Sequence, residues 1–79
     1  MSITSATIPT TAQVATDLHD SYCRAAEAHA LARASEREAW RAFQAQPTRE
    51  RMVAYGHRLQ ALQAARRRAE RAYDDWRAT

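Results

Sequence analysis

Apolar and small residues recur every three or four positions along two long stretches of this chain, on either side of Gln46-Pro47-Thr48. That period predicts two helices. The first seam is Val14, Leu18, Ser21, Ala25, Ala28, Ala32, Ser35, Ala39 and Ala42, and nearly all of it is small. The second is Met52, Tyr55, Leu59, Leu62, Arg66, Ala69, Tyr73 and Trp76, and most of it is large. Steps alternating between four and three keep one narrow face of a helix turned toward a partner. If the chain reverses at Pro47, Ala42 faces Met52, Ala39 faces Tyr55, Ser35 faces Leu59, Ala32 faces Leu62, Ala28 faces Arg66, Ala25 faces Ala69, Ser21 faces Tyr73 and Leu18 faces Trp76. The predicted fold class is therefore all-α: two long antiparallel helices forming a coiled-coil-like helical hairpin, capable of dimerising into a four-helix bundle.

The element boundaries follow from local chemistry. Residues 1–9 are rich in Ser, Thr and Ile and end in Pro, which predicts a flexible arm on which Ile3 and Ile8 are docking candidates. Residues 10–79 are expected to be one hairpin domain, with helix 11–45, turn 46–48 and helix 49–77. Thr10 and Gln13 have the spacing of a capping box, and Thr48 can cap the second helix. Pro47 pushes Gln46 out of helical geometry, and so short a connection forces antiparallel neighbours. Asp20 and Arg24 are spaced to pair across one turn. Ser35-Glu36-Arg37-Glu38 also has capping-box form and offers a break into three helices, but no Gly or Pro precedes it and continuity is preferred. Gly56 costs the second helix roughly 1 kcal/mol relative to Ala.

Composition narrows the picture. With 79 residues there is room for one domain, and a chain this short buries too little apolar surface to be comfortably stable alone. Its 19 Ala and 12 Arg favour helix over strand. Lys is absent. The formal net charge of +3 is modest, because nine carboxylates are interleaved with the arginines; a dedicated nucleic-acid binder concentrates its positive charge more sharply. A single cysteine, Cys23, and a start without a basic leader or an apolar run predict a cytoplasmic setting. No stretch approaches the roughly 18–20 continuous apolar residues that cross a bilayer, so no membrane is expected among the partners.

Candidates for chemistry are few. His19 and Cys23 share a helical face with Asp20 adjacent, yet a zinc site needs three or four convergent ligands and His29 lies three turns away. Asp17, Asp20, Asp74 and Asp75 gather at the open end of the hairpin, where paired acids can act as acid and base only inside a pocket that shifts their pKa values. Arg71 and Arg77 are within one turn of Asp74 or Asp75 instead. No phosphate loop, nucleophile elbow or His-Glu-x-x-His pattern occurs. The expectation is a non-enzyme with no catalytic residue, no cofactor, no metal and no small-molecule substrate.

Charge and aromatics single out the half around the turn. Residues 30–58 hold six Arg against three Glu, whereas the remainder holds six Arg against six carboxylates. The same half carries Trp40, Phe43 and Val53 beside the seam, flanked by Arg37, Arg41 and Arg49. Aromatic and Arg side chains together have the composition of interface hot spots. These six residues are the predicted partner-binding set, for another protein or for a second copy in a homodimer. Arg67 and Arg68, with Arg71 one turn on, are the predicted nucleic-acid candidates, while Arg66 occupies a seam position with Glu70 in reach. The chain thus reads as a small protein-binding adaptor or inhibitor that masks a site on a larger protein or nucleoprotein, of the kind phages and plasmids use as accessory proteins. The alternative is a nucleic-acid-binding hairpin dimer, similar in layout to the plasmid copy-control protein Rop but without a residue motif in common.

Overall fold

The computed structural model describes Ile8 and residues 10–79; apart from Ile8, the expected arm over 1–9 lies outside the described residues. Two helices make the fold: α1 over Thr11–Ala45 and α2 over Arg49–Arg77. They lie against each other along their length as an all-α hairpin, with no strand among the described residues. The 35 residues of α1 run unbroken through Ser35 and span about 52 Å at 1.5 Å per residue.

The ends are fixed by specific hydrogen bonds. The Gln13 backbone N–H donates to the Thr10 hydroxyl at 3.1 Å and the Thr10 N–H donates to the Gln13 side-chain oxygen at 2.8 Å, a complete capping box. Gln46 is extended ahead of Pro47. The Thr48 N–H then closes the turn on the Gln46 carbonyl at 2.8 Å, and the Thr48 hydroxyl accepts from the Arg51 N–H at 3.2 Å. One further contact locks the reversal. The last turn of α1 contains no basic residue, and the Arg51 guanidinium from α2 donates to the Ala42 carbonyl at 2.7 Å. A cation of α2 therefore adds a second donor at the negative end of α1, on a carbonyl that also accepts from the Gln46 N–H at 3.1 Å.

The seam is rotated relative to the heptad reading. Ser21 and Ala28 are exposed, and Tyr22 and His29 turn inward in their place. In α2, Met52 and Arg66 are exposed while Arg51 and Ala65 turn inward. The pairings shift by one residue accordingly: Tyr22 rather than Ser21 meets Tyr73, at 5.3 Å between ring centroids, and Trp40 rather than Ala39 meets Tyr55, at 5.1 Å. The inward positions Leu18, Tyr22, Ala25, His29, Ala32, Glu36, Ala39 and Phe43 themselves step by fours and threes, so the face is displaced by about one residue rather than lost. The expected Asp20–Arg24 pair does not form; among the described residues the one ion pair is Arg66 with Glu70, at 3.0 Å.

Packing is thin. Ala65 is the single buried residue among those described, and no large side chain is fully enclosed. Two helices can only half-cover each other's apolar stripes, so Tyr22, Phe43, Tyr55, Leu59, Leu62 and Trp76 remain part-exposed.

Candidate interaction site

Near the turn, Trp40 stacks obliquely on Phe43 (5.8 Å) and on Tyr55 across the interface (5.1 Å). Trp40 nevertheless stays 41% exposed. Arg37 and Arg41 are exposed one turn before it and next to it on α1. Val53 and Arg49 do not join this surface. Val53 is two residues from the inward Tyr55, which places it about 200° around the helix, and Arg49 shares that outer side; both are exposed on the back of α2. Met52 takes their place: it lies one turn from Tyr55 on the Trp40 side and is 53% exposed. The sequence assigned Met52 to the seam and so missed it as a surface residue. The signal that would have found it is the i, i+3 spacing to Tyr55 once Arg51, not Met52, is put inward.

Glu36 stands inside this cluster, part-buried on α1. Hydrogen bonding toward the Glu36 carboxylate, followed by the phenol's partial burial and the nearby negative charge, raises the Tyr55 pKa above its usual value of 10.0. A carboxylate and a phenol thus make one polar link across an otherwise apolar contact.

The open end carries a second aromatic cluster. Trp76 stacks on Tyr22 (5.7 Å, 13° between planes), meets His19 edge-on at 4.8 Å and Tyr73 at 6.0 Å. Here His19 and Cys23 do come together, with the thiol sulfur 3.8 Å and 3.9 Å from the two ring nitrogens. Both are exposed, and no third metal ligand converges on them among the described residues. Tyr22, Ala69, Glu70, Tyr73 and Asp74 line a shallow groove beside the stack. Arg77 lies over the Tyr73 ring at 5.8 Å rather than pairing with Asp74. Of the basic run, Arg66 is engaged with Glu70 on the surface, while Arg67, Arg68 and Arg71 are exposed on α2.

No helix among the described residues is long and apolar enough to cross a membrane. Comparison with protein-family models, with curated proteins and with solved structures gives no match for this chain.

Proposed function

We propose that this chain is a non-catalytic protein-binding module that acts by occupancy, as an adaptor or inhibitor masking a site on a larger protein or nucleoprotein complex. An accessory protein of a phage or plasmid fits that description by size and architecture. The observation that carries the reading is Trp40. It is 41% exposed at the arginine-rich end, where the turn, the Thr48 cap and the Arg51 bond to Ala42 already hold the two helices together. A large aromatic left half in water, flanked by Arg37 and Arg41, has the make-up of a binding anchor. Arg49 and Val53 on the back of α2 would form a second, smaller contact.

The test is to capture the partner from the native host on the immobilised chain, purify it, and remeasure its binding to Trp40→Ala. Loss of at least roughly tenfold in affinity, about 1.4 kcal/mol, with helicity unchanged by circular dichroism, is the expected result. Unchanged affinity would remove Trp40 from the site.

The exposure of Arg67, Arg68 and Arg71 on one helix favours a second reading, a hairpin that binds RNA or DNA through its phosphates. That binding would weaken steeply between low and moderate salt, because each neutralised phosphate releases counterions. Binding through Trp40 would change little over the same range.

A further inference from the structure

We propose that a second copy of this chain seats antiparallel on the face that carries Tyr22, Trp40, Tyr55, Leu59, Leu62 and Tyr73, with the tip of each hairpin over the open end of the other. This rests on the binding role given above to the Trp40 surface and names its first occupant.

The groove between the helices has two unlike sides. One is lined by Ser35, Ala39, Ala42 and Ala54, with Glu38 and Arg58. The other carries Leu59, Leu62 and His29 with Arg33, Gln63 and Arg66 at mid-length, the Tyr22–Tyr73 pair toward the open end and the Trp40–Tyr55 pair toward the tip. Large apolar side chains left part-exposed along a whole face are the surface that association removes from water.

The area is what a dimer needs. The chain exposes 6557 Å², whereas a compact protein of 9.0 kDa exposes about 4,900 Å². Among the described residues the hairpin encloses only Ala65. A stable homodimer interface takes on the order of 1,000 Å² or more from each partner, and the excess of about 1,700 Å² can supply it.

Charge selects a copy of this chain and its orientation. Residues 30–58 carry six Arg against three Glu, while residues 10–23 and 71–79 together carry four Asp against two Arg. The two ends of one hairpin are thus electrostatic complements of each other. A two-fold axis across the middle of the face brings each basic tip onto an acidic end, twice by symmetry, whereas a parallel pair sets tip against tip. Arg37, Arg41 and Asp74 have no ion-pair partner among the described residues, and Asp74 lines the groove beside Tyr22 and Tyr73; Asp20, two residues from the inward Tyr22, lies on the back of α1. The arginines on the back of α2 stay outside such a dimer, free for the larger target.

The experiment is absolute mass by light scattering, with melting followed at several concentrations, on the nucleic-acid-free full chain and on three variants. These are Arg37→Glu with Arg41→Glu, Asp74→Arg, and all three changes together. The expected result is a wild-type dimer whose melting temperature rises with concentration, dissociation roughly tenfold easier in the arginine and the aspartate variants, and a three-site variant restored to within roughly threefold of wild type. A monomer at every concentration, folded or not, overturns the proposal, as does a dimer indifferent to either reversal or not restored by both. A monomeric result leaves the Trp40 capture experiment standing. Unchanged capture by Trp40→Ala with the dimer intact removes the masking role instead.

Discussion

The two ends of the hairpin use the same device for different purposes. At each end an aromatic from α1 meets an aromatic from α2: Tyr22 with Tyr73 and Trp76 at the open end, Trp40 with Tyr55 at the tip. At the open end nothing covalent joins the helices, and Trp76 touches three rings to clasp them. At the tip the chain itself joins them, and the Thr48 cap and the Arg51 bond to the Ala42 carbonyl secure the joint. Trp40 is therefore less necessary to the fold than Trp76, and it is also the more exposed of the two. Aromatic surface in excess of what the fold requires, placed among arginines, is the ground for the binding role proposed for the tip, whereas at the open end the aromatics clasp the helices.

The largest expected effect breaks the clasp. Trp76→Ala should cost about 2–4 kcal/mol, the lower part of the range for removing a packed aromatic because Trp76 is only part-buried. Trp40→Ala should cost the isolated hairpin about half as much. Urea unfolding of the two variants side by side, below the concentration at which the chain associates, measures both; equal costs would erase the distinction between clasp and tip. Thr48→Ala should follow at about 1 kcal/mol through loss of the α2 cap, again read from urea midpoints, and a loss below a few tenths would show that Pro47 alone holds the turn.

Smaller effects sharpen the tip. A Cβ at Gly56 meets nothing within 4 Å in the hairpin, so Gly56→Ala should raise its stability by about 0.5–1 kcal/mol. A loss on thermal melting would mean that another surface closes on that position. The smallest effect is alkaline. Because the Tyr55 pKa is raised by its bond to Glu36, its contribution to stability is complete below pH 10, and it is lost as pH rises through the higher folded value. Melting temperatures from pH 8 to 11 should fall more in the native chain than in Tyr55→Phe, and parallel curves would remove the Glu36 contact from the account.

Most of the fold was legible because its signals are local. The Thr10–Gln13 box, Pro47 after Gln46 and Thr48 ahead of α2 act over three or four residues and need no tertiary context. The seam was legible only to within one residue. The rule of small against large favoured Ser21 and Ala28; a frame with Tyr22 and His29 inward keeps the same alternation of fours and threes, so spacing alone does not choose between the two. Arg51 was unreadable as an inward residue because its partner is the carbonyl of Ala42, nine positions away at the C-terminal end of the other helix. Of the candidate site, Trp40, Phe43, Arg37 and Arg41 come together as a surface, whereas Arg49 and Val53 do not, since the sequence grouped them by nearness to the turn rather than by angle around α2.

With Trp76→Phe leaving one indole, the emission of Trp40 across a dilution series tests the division of labour most directly. The account predicts emission that is blue-shifted and shielded from acrylamide when the chain is concentrated, then red-shifted and quenched as the dimer dissociates, with helicity falling later or not at all. An emission maximum unmoved by dilution while the mass halves would contradict it, because Trp40 would then belong to the fold and not to the contact.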